Sequence, residues 1–206
     1  RRPPRSTLFP YTTLFRSMMG FIFHRDSPRY AGELAEPECI RNLPPAILKT
    51  GVFFNENADR ILATAEKFDL GLIQLHGDES PEFCRQIRNT GLKVAKVFRI
   101  SEAGHFRNCA AYPDCTDFFI FDTLSDTYGG SGKKFDWKIL ASYSLEHPFM
   151  LGGGIGPGDA ETILSINNPC LLGADLNSRF ESEPGVKNIT ALERFILQIR
   201  KNSSTE

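Results

Sequence analysis

The chain has 206 residues, 24 basic against 25 acidic side chains and 41% hydrophobic residues, a globular balance that excludes disordered and fibrous classes. No apolar run approaches the roughly 20 residues of a membrane-spanning helix, and a net charge of −1 gives no general pull toward nucleic acid. Five scattered cysteines (Cys39, Cys84, Cys109, Cys115, Cys170) form no C-x-x-C pair, which argues against a disulfide framework or a zinc site and for reduced thiols in a cytoplasmic protein.

Residues 1–17 stand apart. They hold four arginines and no acid, and they repeat Thr-Leu-Phe at 7–9 and 13–15. Three prolines interrupt any strand or helix pattern. A transit peptide is one reading, because the segment is basic and acid-free. The preferred reading is a segment foreign to the fold, similar to translated sequencing-adapter sequence, so that the folded domain is 18–206. Without those residues, 20 basic side chains face 25 acidic ones.

From Met18 short apolar runs alternate with amphipathic stretches. The runs are Gly20–Phe23, Gly51–Phe54, Leu72–Leu75, Val94–Phe98, Phe118–Phe121, Phe149–Leu151 and Leu171–Ala174. Runs this continuous suit parallel strands buried on both faces. Between them, Asn57–Phe68 places Ala58, Ile61, Leu62 and Ala65 on one helical face. Ser80-Pro81-Glu82 opens another helix, with Ser80 as its cap and Pro81 in its first turn. Ile189–Ile199 carries Leu192, Phe195, Ile196 and Ile199 along one stripe. Strand–helix alternation predicts an α/β fold. A closed (β/α)8 barrel is preferred to an open doubly wound sheet, because the glycine-rich turn follows a late strand and no early G-x-G-x-x-G is present. Seven visible strands imply a barrel lacking its first βα unit.

Gly152-Gly153-Gly154-Ile155-Gly156-Pro157-Gly158 follows the sixth run. Glycines there let backbone N–H groups approach an anion, and a following helix N-terminus would favour negative charge; a plain tight turn is the alternative. Asp175-Leu176-Asn177-Ser178-Arg179 follows the seventh run. Asn177 and Ser178 can donate hydrogen bonds to a phosphate from the other side, or the cluster can simply cap a short helix. Asp122 ends the fifth run, where a barrel strand opens on its active-site mouth and a carboxyl suits a general acid; a turn-initiating Asp is the alternative. Tyr128-Gly129-Gly130-Ser131-Gly132-Lys133 lacks the P-loop pattern and is expected to be a substrate-covering loop. Arg29 could pair with a carboxylate, and His76, directly after the third run, could contact a ligand or a neighbouring loop.

Taken in order, these blocks resemble the phosphoribosylanthranilate isomerase family. The resemblance rests on Ser27-Pro28-Arg29-Tyr30, Gln74-Leu75-His76-Gly77-Asp78-Glu79, Phe121-Asp122-Thr123, Tyr128-Gly129-Gly130-Ser131-Gly132-Lys133 with Phe135-Asp136-Trp137, Gly153-Gly154-Ile155 and Asp175-Leu176-Asn177-Ser178-Arg179. It implies an Amadori rearrangement of a small-molecule phosphosugar, N-(5-phosphoribosyl)anthranilate, in tryptophan biosynthesis. Asp122 would protonate the furanose ring oxygen, and Arg29 would hold the anthranilate carboxylate. Gly153, Gly154, Asn177 and Ser178 would surround the phosphate, with His76 and Asp175 also at the substrate. No cofactor, metal, nucleic acid or membrane is implied, and the protein would be a monomer or homodimer. In the family a first-strand cysteine in Lys-x-Cys-Gly removes the C2 proton, and no such motif occurs in this sequence. The expectation is therefore an isomerase without its base cysteine. The alternative is an inactive phosphosugar-binding barrel fragment. Indoleglycerol-phosphate synthase, a related phosphate-binding barrel, fits less well because its lysine and glutamate strand-end pattern is absent.

Overall fold

A computed structural model of the protein describes residues 17–32, 36–123 and 134–203. The chain forms two compact units, one reaching Lys96 and one starting at Val97. Both are built from parallel strands joined by helical connections.

In the first unit β1 (Ser17–Ile22), β2 (Ile47–Phe53), β3 (Leu72–Leu75) and the first half of β4 (Lys93–Ile100) pair in chain order. Ile22 lies beside Val52, Phe53 beside Leu75, and Leu75 beside Lys96. Every residue of β3 is buried, as its unbroken apolar run requires. Three helices follow the strands: α1 (Pro37–Arg41), α2 (Ala58–Phe68) and α3 (Pro81–Arg88). Asn57 starts α2 by accepting the Arg60 N–H at 2.9 Å, and Asp69 ends it in a left-handed conformation. Ile61, Ala65 and Phe68 form its buried face. Ser80 Oγ accepts the Phe83 N–H at the start of α3, with Pro81 in the first turn.

In the second unit β5 (Phe118–Thr123), β6 (Phe149–Leu151) and β7 (Leu171–Ala174) pair in parallel, with Phe121 beside Leu151 and Leu151 beside Ala174. Phe119, Phe121 and Phe149 are fully buried. They pack with Phe106, Tyr143, Leu151, Phe180 and Phe195 in one core. The Phe121 ring lies 4.8 Å from Phe149 and 5.2 Å from Tyr143. The helices here are α4 (Ala160–Leu164) and α5 (Ile189–Ser203), the latter burying Phe195 along the expected stripe.

Three features depart from the sequence expectation. The described connections flanking β5 are short 3-10 turns, at Ala103–Cys109, Pro113–Cys115 and Trp137–Ser142, where α-helices were expected. Gly104 and Pro113 punctuate that chain and shorten its helical runs. The helix after the glycine-rich turn starts only at Ala160 and is five residues long. The Asp159 carboxylate accepts the Gly156 N–H at 2.7 Å, closing the side-chain half of a capping box over the 3-10 turn Pro157–Asp159 that leads into this helix. Finally, β8 (Glu181–Glu183) and β9 (Val186–Lys187) form an antiparallel hairpin after β7, turned at Gly185 with φ +86°.

Candidate active site

Parallel pairing brings the C-terminal ends of β5, β6 and β7 side by side, and the residues just beyond them form the candidate site. Asp122 is half-buried at the end of β5, and its Oδ1 accepts the Thr123 backbone N–H at 2.6 Å. After β6, Gly153 and Gly154 adopt φ of +79° and +65°. Consecutive left-handed residues are a conformation only glycine takes cheaply. Gly152 is held to the strand instead, its N–H donating to Phe121 O at 2.8 Å. A methyl group on Gly153 would press on Asp122 Oδ1 and stand 2.5 Å from the Thr123 nitrogen and hydroxyl. The glycine turn and the carboxyl are therefore in immediate contact.

This predicts a stability cost of about 1–3 kcal/mol for Gly153→Ala, from backbone strain plus the clash. Gly158 lies in the same turn, has no such φ and would meet nothing within 4 Å. Gly158→Ala should be neutral or slightly stabilising. Urea midpoints of the two variants check this, and equal midpoints would refute the packing of Gly153 on Asp122.

The second turn lies beside the first. The Asp175 N–H donates to Leu151 O at 2.7 Å, so this amide supports the strand ends. Asn177 is exposed and Ser178 half-buried, and Ser178–Phe180 winds into a 3-10 turn. A Cβ on Gly156 would lie 3.7 Å from Arg179 Cβ, in ordinary contact, so the glycine turn and the Asn177–Ser178 turn touch. The two anion-friendly turns expected from sequence are thus joined, with Asp122 against the first. The loop 128–133, expected to cover the substrate, lies outside the described residues. Beyond it, Lys134 Nζ meets Asp159 Oδ1 at 2.5 Å.

Arg29 and His76 belong to the first unit. Arg29 is half-buried in the turn after β1, where its N–H donates to Ser27 Oγ at 3.2 Å. His76 directly follows β3 and is half-buried, its N–H donating to Phe53 O at 2.9 Å. Beneath it lies a feature that sequence reading missed. Lys96 Nζ forms an ion pair with Glu79 at 3.3 Å, their side chains only 3% and 2% exposed. Lys96 also donates to Gly77 O at 2.7 Å, and Glu79 Oε1 accepts the N–H groups of Asn55 and Gly77 at 2.9 and 3.2 Å. A lysine inside the apolar run Val94-Ala95-Lys96-Val97 was the available signal.

The cysteines sit on α1, on α3, on 3-10 turns and just before β7. Cys84, Cys109 and Cys115 are fully buried, and Cys39 is exposed on α1. Burial, with the Glu146 carboxylate nearby, pushes the Cys170 thiol above its ordinary pKa. That is opposite to what a reactive base or nucleophile needs. Timed thiol labelling of the folded protein at neutral pH should modify Cys39 first and Cys170 slowly. Fast labelling of Cys170 would contradict its placement. Among the described residues no cluster of His, Cys, Asp or Glu is arranged to hold a metal ion, and no helix is long and apolar enough to cross a membrane.

A sequence model of the N-(5'-phosphoribosyl)anthranilate isomerase family matches residues 11–198. The chain belongs to this family. It is 42% identical to the isomerase of Phocaeicola vulgatus over 89% of this chain and 87% of that protein. It is 41% identical to that of Parabacteroides distasonis over 88% and 82%. Among solved structures, the isomerase of Thermotoga maritima superposes with a TM-score of 0.77 at 31% identity, covering 89% of this chain and 88% of that one. A family structure in complex with reduced 1-(o-carboxyphenylamino)-1-deoxyribulose 5-phosphate superposes with a TM-score of 0.74 at 28% identity, covering 89% and 87%. The fold is that of the family's (β/α)8 barrel, with seven parallel strands among the described residues.

Proposed function

We propose that this chain isomerises N-(5'-phosphoribosyl)anthranilate to 1-(2-carboxyphenylamino)-1-deoxyribulose 5-phosphate, a step of tryptophan biosynthesis. The observation that carries this reading is the contact between Asp122 and Gly153. It sets a carboxyl directly against a glycine turn suited to a phosphate, so one bound phosphosugar can touch both. Family membership supplies the substrate. In this reading Gly153, Gly154, Asn177 and Ser178 receive the phosphate, and Asp175 braces the turn between them. Holding that end fixes the sugar relative to Asp122. Asp122 gives its proton to the furanose ring oxygen, the C1–O bond breaks, and the anilino nitrogen lone pair completes the Schiff base. The C2 proton of the Schiff base then passes to solvent water, giving the enolamine, which tautomerises to the ketone. Family membership assigns Arg29 to the anthranilate carboxylate and His76 to a further substrate contact. The protein works in the cytoplasm as a monomer or homodimer on this small-molecule substrate, with no cofactor.

The positions of the five cysteines favour a second reading, a barrel that binds the phosphosugar without abstracting the C2 proton. Incubating the full chain with N-(5'-phosphoribosyl)anthranilate and following product by chromatography separates the two. Catalysed turnover supports the isomerase. Binding of substrate with turnover at the uncatalysed rate supports the second reading, since loss of a general base costs about 10²–10⁴-fold.

A further inference from the structure

The hairpin after β7 returns the chain to the turn it has just left. Lys187 on β9 lies ten residues beyond Asn177, yet its Nζ donates to Asn177 Oδ1 at 2.6 Å. The same ammonium contacts Glu181 Oε1 on β8 at 2.7 Å. Glu181 keeps only 3% of its side chain exposed, and Lys187 33%. The hairpin itself is fixed by the Asn188 N–H donating to Phe180 O at 2.8 Å, next to the fully buried Phe180 ring. A buried carboxylate thus holds a lysine, and the lysine holds the oxygen end of one amide.

We infer that Lys187 is a positioning residue that orients the Asn177 amide for phosphate recognition, with Glu181 holding Lys187 in place. A primary amide has one accepting and one donating end. Fixing Oδ1 on a cation turns the NH2 group away from Lys187, as a donor for an anion. Left alone, the exposed side chain of Asn177 would sample both orientations, and the flipped one presents an oxygen to the phosphate. Glu181 offsets the lysine charge, so the ammonium acts on the amide more than as a free counter-charge. This inference rests on the proposal that Asn177 faces the substrate phosphate.

The test is a double-mutant cycle on the full chain, read by titration with ribose 5-phosphate. Lys187→Met and Asn177→Ala should each weaken binding about tenfold, the scale of one hydrogen bond to a charged group. The double variant should be no weaker than either single one, because both remove the same contact. Glu181→Gln/Lys187→Gln keeps the pair uncharged and provides a folded variant if Lys187→Met unfolds with its buried carboxylate unpaired; it should bind as weakly as Lys187→Met. In parallel, the 15N resonance of the Asn177 side-chain amide should move on adding ribose 5-phosphate to the natural protein and stay still in the Lys187 variant. Multiplicative losses in the cycle, or natural affinity in a folded Lys187 variant, would overturn the inference alone. Failure of the natural protein to bind ribose 5-phosphate would overturn the phosphate reading and the inference with it.

Discussion

Asp122→Asn is expected to lower kcat/KM for N-(5'-phosphoribosyl)anthranilate by about 10²–10⁴-fold, the usual contribution of a positioned general acid. The fold should survive. Asn keeps an Oδ1 that can accept the Thr123 N–H now bonded at 2.6 Å, and it keeps the volume against Gly153. What it loses is the exchangeable carboxyl proton that the ring oxygen requires when the C1–O bond breaks. Ribose 5-phosphate affinity should stay unchanged, because the two turns proposed to receive the phosphate are untouched. This separates the acid from Gly153→Ala, which should disturb stability and the phosphate turn together. Progress curves with the two variants, beside calorimetric titrations, check both halves. Turnover by Asp122→Asn at the natural rate would remove Asp122 from the chemistry and leave the glycine turn without its partner.

The strands were legible because burial on both faces writes itself as unbroken apolar runs. Leu72–Leu75 and Phe118–Phe121 are wholly buried in the structure, as their composition demands. The Ser80 cap was legible for a local reason: it bonds an amide three residues on. The glycine turn was legible in composition but less so in detail. Sequence shows a run of three glycines, whereas only Gly153 and Gly154 need a left-handed backbone, and Gly152 continues the strand. The helix expected behind that turn is present but short, a 3-10 turn at Pro157–Asp159 running into Ala160–Leu164.

The hairpin was hidden for a different reason. Its strands are three and two residues long, too short for alternation to show, and Pro184-Gly185 marks only a turn. Consequently nothing in the local sequence marks Lys187. Asp122 and Gly153 were each singled out in sequence, but their contact joins positions 31 residues apart, and no local pattern encodes it. Residue types at strand ends therefore name the candidates, while strand register decides which of them meet.

Lys96→Met is expected to destabilise the protein by about 3–5 kcal/mol, the cost of removing one partner from a buried ion pair. Such a loss is a large share of the 5–15 kcal/mol that holds a typical domain together. The reason lies with the partner. Glu79, with 2% of its side chain exposed, would keep the Asn55 and Gly77 amides but lose the Lys96 ammonium. Gly77 O would lose its 2.7 Å donor at the same time. The change should therefore be felt in the turn that carries His76, as well as in global stability. Lys96→Met/Glu79→Gln should recover most of the loss, since the Gln oxygen can still accept both amides and no buried charge is left alone. Urea unfolding of the two variants measures this directly. A single-variant cost below about 1 kcal/mol, the range of solvated surface pairs, would show that water reaches the pair. A double variant no better than the single one would place the cost in the lost lysine packing and the Gly77 bond, not in the Glu79 carboxylate.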